Sequence, residues 1–435
     1  MKIFIVQSHL GGGGAERVGV MLANGFSSRG HDVTIATDLK AKQNYIPLAS
    51  VKIVNIVSSK KNVLIKWCYA IWNLRNICAE SRPDVIIGIM QLSSFVSKVS
   101  TIGLGIPTIM MEHYYFESPN GLTSFEKFCK FYLNKVYPIV TVLTSADKTI
   151  AEQSLKHVVI MPNPLALKPI VNKGVRNNVL LAIGRLDAWY YKGFDVLIRA
   201  WARVVSSIKF QSLTPNPSPK GDGNYGWKLQ IAGTGSEESL NYLKQLCKEN
   251  GVEDFVEFLG FRKDVEKLYQ EASVFVLSSR YEAFGLVLIE AMSQGCACVA
   301  CDYKGRQREI IAPNEGECLD SCLKFQDSSV DGQKESEDTS VSNSKISQKQ
   351  ATAEGPQTRS LKPETRNIPL EACETGILCE PDNVEALTDA MAKMIMDDEY
   401  RESVRKNAIE RSKYYSIENT MDRWESLLSK VVNKK

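Results

Sequence analysis

The sequence predicts an α/β protein of two Rossmann-like domains, and three observations carry that expectation. Short Val- and Ile-rich runs alternate with helical patterns along most of the chain, as parallel strands covered by helices on both faces would read. The 435 residues exceed what one hydrophobic core ordinarily serves. Prolines at 162, 164 and 169 separate two such sets of strands.

The first set places strands at 2–6, 33–36, 85–89, 108–111, 139–143 and 158–161. The second places them at 179–183, 228–232, 256–259, 274–277 and 298–300. The domains are accordingly 1–168 and 169–412, with a helical tail from about 413 to 435. Tyr414, Tyr415, Met421, Trp424 and Leu427 give the region after Asp398 an amphipathic helix pair that must dock on something. Two stretches, 207–226 and 318–373, are rich in Pro and Gly or in Ser, Glu, Gln and Lys. Neither carries enough apolar surface to offset its ordering entropy, so both read as disordered insertions.

Composition excludes several classes. A formal net charge of +3 gives no electrostatic case for nucleic acid. No apolar run reaches the ~18 residues of a membrane span. The opening Met-Lys-Ile-Phe-Ile-Val-Gln lacks the longer apolar core of a signal peptide and reads as a first strand. Eleven scattered cysteines, an odd count without a secretion signal, read as reduced thiols in a cytoplasmic protein. Cys296, Cys298 and Cys301 sit in a strand-like run and lack a second cluster that would complete a metal site.

Four places carry chemistry. Gly11-Gly12-Gly13-Gly14-Ala15-Glu16-Arg17 follows the first strand and opens a helix. Gly13 and Gly14 would let a ligand approach the backbone at an anion-attracting helix N-terminus. The string is not Gly-x-Gly-x-x-Gly, so it is no dinucleotide fingerprint. Gly184-Arg185-Leu186-Asp187 closes the strand at 179–183, and Lys192-Gly193-Phe194-Asp195 follows. Arg185 offers a planar fork to a diphosphate and Lys192 a compact charge, at the strand end where open α/β sheets bind ligands. Ser278-Ser279-Arg280-Tyr281-Glu282-Ala283-Phe284-Gly285-Leu286 runs from a strand through a turn into a helix. The amides of Phe284, Gly285 and Leu286 would face a phosphate. Glu290, in an apolar stretch, needs a partner or hydrogen bonds such as those of ribose hydroxyls. His113 ends the strand at 108–111, on the edge that would face the cleft. There is no Asp-x-Asp to hold a metal against a diphosphate, so no cofactor or metal is expected, and Arg185, Lys192 and helix amides would meet the charge.

Together these strings resemble the retaining glycosyltransferases of family four, with the GT-B fold. Glu282 and Glu290 match the Glu-x7-Glu motif of that family, and Gly13-Gly14-Ala15-Glu16-Arg17 matches its first glycine loop. Pro162-Asn163-Pro164 and Gly184-Arg185-Leu186 with Lys192-Gly193-Phe194 match its linker and phosphate-binding segments. The likeness spans the chain apart from the two insertions. It implies a central cleft, a C-terminal helix that crosses back to the first domain, and transfer of sugar with retained configuration. By it, Arg185 and Lys192 hold the donor diphosphate, Glu282 lies beside the sugar, Glu290 holds the ribose and His113 lies near the sugar's C6 hydroxyl. UDP-sugars are the first expected donors and GDP-sugars the next. Glycans or lipid-linked sugars are the expected acceptors, in surface polysaccharide or glycoconjugate synthesis.

Three departures stand out: the spacing from Arg185 to Lys192 is longer than usual, Ala283 replaces a common Gly, and Gly305-Arg306-Gln307-Arg308-Glu309 replaces Gly-Gly-Pro-x-Glu. Lys60, Lys61 and the stretch 63–77 with Trp67, Tyr69 and Trp72 suit either a core helix or peripheral contact with an anionic membrane. A non-catalytic nucleotide-sugar-binding subunit and an epimerase of the same architecture remain as alternatives to transfer.

Overall fold

In a computed structural model the chain is described at residues 1–11, 13–41, 43–58, 62–114, 128, 133–170, 174, 176–212, 226–312 and 370–433. The described residues build two seven-stranded sheets. The first contains β1 (Lys2–Val6), β2 (Asp32–Thr37), β3 (Lys52–Asn55), β4 (Val85–Ile89), β5 (Thr108–Met111), β6 (Ile139–Val142) and β7 (Val158–Ile160). Their order is β3-β2-β1-β4-β5-β6-β7, and every pairing is parallel. The second contains β8 (Asn177–Ile183), β9 (Lys228–Ala232), β10 (Val256–Gly260), β11 (Ala272–Leu277), β12 (Ala297–Cys301), β13 (Glu371–Cys373) and β14 (Gly376–Cys379). Its order, β10-β9-β8-β11-β12-β14-β13, repeats the first with one antiparallel edge strand, β13. The strand order reverses beside β1 in one sheet and beside β8 in the other. Crevices for ligands open at the carboxyl ends of strands at such switch points.

Besides the one-turn helices Trp189–Lys192 and Arg308–Ile311, the described helices are α1 (Gly14–Ser28), α2 (Val63–Ser81), α3 (Met90–Ser100), α4 (Ser145–Ala151), α5 (Phe194–Ser212), α6 (Glu237–Glu249), α7 (Val265–Glu271), α8 (Leu286–Ser293), α9 (Val384–Met396), α10 (Asp398–Ser412) and α11 (Ile417–Val432). Each sheet is buried on both faces. Helix α1 covers one side of the first sheet, while Ala70, Leu74 and Cys78 of α2 pack on the other. Helix α5 and α9 cover one side of the second sheet, and α8 the other.

The helical tail crosses between the halves. Helix α10 packs on α8 and β12 of the second half, and α11 lies on α1 of the first. Met421, Trp424, Leu427, Leu428 and Val431 form one helical stripe inside the first core. Trp424 meets Phe26 edge-on with ring centroids 6.3 Å apart.

The boundaries of the two proposed insertions change. Helix α5 continues to Ser212, and β13 occupies 371–373, so both stretches reach into regular structure at their ends. Residues 213–225 and 313–369 lie outside the described residues. Strands β3, β13 and β14 were not foreseen. On α2, Ile65, Tyr69 and Trp72 form an exposed apolar ridge opposite the core face; Lys60 and Lys61 lie outside the described residues. No described helix is long and apolar enough to cross a membrane.

Candidate active site

The turn from β11 into α8 is built around Gly285. Its φ of 95° is the left-handed region that glycine alone enters cheaply, and it is the N-cap of α8. The Leu288 amide turns back to the Gly285 carbonyl at 2.9 Å, which leaves the Leu286 and Val287 amides at the start of α8 without an acceptor within the helix. Glu282, three residues earlier, is directed at the segment after β8. Lys192 Nζ lies 2.7 Å from Glu282 Oε2, and Ser279 Oγ donates to the same oxygen at 3.3 Å. Residues 186–188 form a turn of 3-10 helix and Trp189–Lys192 one turn of α-helix, which absorbs the long spacing and still returns Lys192 to the strand end. Its stem passes over Gly184, where an added side-chain carbon would meet Lys192 Cγ at 3.2 Å.

Gly193 closes that turn at φ 65°, pressed on the neighbouring strand end: a side-chain carbon there would lie 2.0 Å from the Ser278 carbonyl oxygen. Ser278 Oγ donates to the Lys192 carbonyl at 2.8 Å. Arg280 completes the seam. It donates to the Tyr190 carbonyl at 2.7 Å, and its fork grips Asp195 at 2.7 and 2.8 Å. Sequence reasoning gave Arg280 no role, although it directly precedes Tyr281-Glu282. Arg185 stands apart. It is exposed, and among the described residues no carboxylate is recorded within ion-pair distance of it.

The first half meets this turn through α1. A side-chain carbon at Gly14 would lie 3.4 Å from Leu286 Cδ1, so the N-termini of α1 and α8 face one another closely. Gly13 is the N-cap of α1, but Glu16 folds back over it: a carbon added there would lie 1.8 Å from Glu16 Oε2. The carboxylate of Glu16 thus stands beside amides expected to be open to a phosphate, while the Gly13 amide itself donates to the Gly11 carbonyl at 3.1 Å. Gly12 lies outside the described residues.

Glu290 is buried at 3% exposure, and its partners are protein groups. Arg17 Nη1 of α1 approaches Oε1 at 2.6 Å. Tyr269 OH donates to Oε2 at 3.2 Å. Burial pushes the Glu290 carboxyl up, and Arg17 and the Tyr269 hydroxyl oppose that shift. The expectation of a paired acid is met from the opposite half. Arg17 was quoted in its motif without a role, and Tyr269, on α7, carried no signal in the sequence.

His113 follows β5, where the neighbouring Glu112 is buried. Glu112 accepts from the His113 and Tyr114 amides at 3.1 Å each and from Gln91 Nε2 at 2.6 Å. The imidazole Nε2 is enclosed without a hydrogen-bond partner, and burial lowers the group to about 4. His113 is therefore a neutral imidazole at physiological pH.

The structure thus joins Lys192 to Glu282 and brings Gly14 against Leu286, with Glu290 behind them. His113 sits in a separate first-half network. Cys296, Cys298 and Cys301 are buried thiols, and no group of three potential metal ligands converges among the described residues.

Two parallel Rossmann-like sheets, with acidic, basic and helix-terminal groups at their facing strand ends, define a GT-B protein. Residues 12–168 match the model of Glycosyltransferase Family 4 and residues 177–324 that of Glycosyl transferases group 1. An uncharacterized glycosyltransferase of Haemophilus influenzae is 27% identical over 72% of this chain and 83% of its own. An α-1,4-N-acetyl-D-galactosaminyltransferase of Campylobacter jejuni, whose name gives an undecaprenol-diphosphate-linked acceptor, is 27% identical over 74% of this chain and 85% of its own. Among solved structures, Anabaena HepE in complex with UDP superposes with a TM-score of 0.69 at 17% identity, covering 99% of this chain and 100% of that one. The chain belongs to the family 4, group 1 glycosyltransferases.

Proposed function

We propose that this glycosyltransferase takes a sugar from a nucleotide-sugar, UDP-linked first and GDP-linked next, and moves it with retention of configuration to a glycan or lipid-linked acceptor. The observation that carries the reading is the Lys192–Glu282 pair at 2.7 Å, set beside the N-terminus of α8, where Leu286 lies against Gly14 of α1. A cation and unmet helix amides at one point suit a diphosphate. Preorganised charge of this kind stabilises a departing diphosphate without reorganisation cost. Exposed Arg185 is a second cation for the same group. Glu282 stands where it can face the transferred sugar, and neutral His113 offers a hydrogen bond from the first half. Glu290 is the ribose-facing acid, reached when Arg17 shares or yields it.

No metal is assigned to the reaction. The UDP and UDP-glucose complexes of HepE support the choice of donor. The acceptor named for the Campylobacter relative and the amylovoran biosynthesis named for an Erwinia amylovora relative support a role in surface polysaccharide or glycoconjugate synthesis.

The test is turnover of a panel of UDP- and GDP-sugars, followed by mass spectrometry of released and transferred sugar. One donor turned over by the wild type, and lost in Glu282→Ala, supports the reading. Binding of a nucleotide-sugar with no release or transfer to any acceptor favours the non-catalytic subunit instead.

The exposed Ile65–Tyr69–Trp72 ridge supports peripheral contact with an anionic membrane, aromatic side chains entering the headgroup layer. Flotation with phosphatidylglycerol vesicles, absent with neutral vesicles and lost in Trp72→Ser, is the expected result. Failure to float with either lipid removes the membrane from the account.

A further inference from the structure

The loop after β12 is one of the three departures from the family string, with Arg306 and Gln307 in place of glycine and proline. Both side chains are fully buried. Arg306 crosses to the first half, donating from Nη2 to Asp147 Oδ1 at 2.6 Å and from Nε to Oδ2 at 3.2 Å. Asp147 lies in the first turn of α4. Glu309 reaches the same turn, accepting from the Ser145 amide at 2.9 Å, Ser145 Oγ at 2.6 Å and the Ala146 amide at 3.0 Å. Two side chains of one loop therefore hold one helix end of the opposite half.

Gln307, between them, faces the other way. Its Oε1 accepts from the Tyr303 amide at 2.8 Å, which fixes the carboxamide. Its Nε2 lies 3.4 Å from the carbonyls of both Glu282 and Phe284, a long, shared contact on the turn that carries Glu282. A fully buried ion pair such as Arg306–Asp147 gains little over apolar packing of the same volume, because desolvation offsets the attraction. What it adds is a fixed register between the groups it joins.

We propose that the loop 305–309 is a strut that transmits the placement of the first half to the Glu282 turn, with Gln307 as the positioning residue. The inference rests on the reading of Glu282 as a reaction-site residue, but its first test does not need a donor. Hydrogen exchange on the full chain reads both ends of the strut. Asp147→Asn is expected to speed exchange about tenfold in residues 145–151 and also in 282–288, while β11 stays protected. Gln307→Leu is expected to speed 282–288 alone. Loosening by Asp147→Asn that stops short of 282–288, or no change there in Gln307→Leu, overturns the strut. Should Asp147→Asn fail to fold, Ser145→Ala removes one bond to Glu309 and is expected to give the same two-segment pattern at smaller amplitude.

Kinetics separate positioning from binding. With a donor the wild type turns over, Gln307→Leu should lower kcat about tenfold and move the donor KM less than about twofold. An unchanged kcat contradicts the positioning role. A wild type that turns over nothing counts against the functional reading, and the exchange pattern then decides the strut by itself.

Discussion

Lys192→Met lowers kcat for the donor by about 10²–10³-fold, the usual cost of removing one preorganised charge from a transition state. Methionine keeps an unbranched stem over Gly184 and removes only the ammonium that lies 2.7 Å from Glu282. The loss should fall on kcat more than on KM, because the diphosphate gains its full leaving-group charge only as the glycosidic bond breaks. Folding should be nearly unaffected, since both side chains of the pair are partly exposed, at 26% and 16%, and such pairs are worth up to about 1 kcal/mol. Steady-state kinetics with a thermal melt check both halves. A variant that keeps its kcat would remove Lys192 from the chemistry.

The largest stability effect falls on Arg280→Ala. Arg280 and Asp195 are 8% and 6% exposed at their side chains, and their two parallel bonds are reinforced by Asp382. Removing the guanidinium leaves the Asp195 carboxylate buried without its bidentate partner, which costs about 3–5 kcal/mol. Arg199, 3.7 Å from Asp195 and half exposed, recovers a small part. Urea unfolding followed by far-UV circular dichroism is the measurement, and a loss below about 1 kcal/mol would contradict the assignment. The seam that holds Lys192 opposite Glu282 runs through Arg280, so the surviving folded fraction should also turn over more slowly.

The elements that could be read from the sequence are those whose physics is local. Apolar runs such as Val85–Ile89 and Thr108–Met111 are strands of those bounds, because a strand buried on both faces must be apolar throughout. Strand β3, Lys-Ile-Val-Asn, escaped because it lies on a sheet edge and two of its residues are exposed. Strand β13 was hidden in polar surroundings, and its Glu371-Ala372-Cys373 has no strand pattern of its own.

The same distinction runs through the site. The Gly285 turn and the start of α8 were legible because glycine, turn and helix are neighbours in sequence. The partners were not. Arg306 and Asp147 are 159 residues apart, and Lys192 and Glu282 are 90 apart. A buried Glu290 demanded a partner on physical grounds, yet no spacing named Arg17 or Tyr269. Glu16 bending back over Gly13 was equally invisible, since the same string reads as an open glycine loop.

A nucleoside diphosphate held on α8, with its ribose at Glu290, is what the proposed function requires of the cleft between the halves. Calorimetric titration of the wild type and of Glu290→Ala with UDP and with GDP tests it most directly. Saturable one-to-one binding of one nucleotide is predicted, weakened about ten- to hundredfold in the variant by loss of charge-assisted hydrogen bonds. No binding of either nucleotide to the wild type, or equal affinity in the variant, would contradict it.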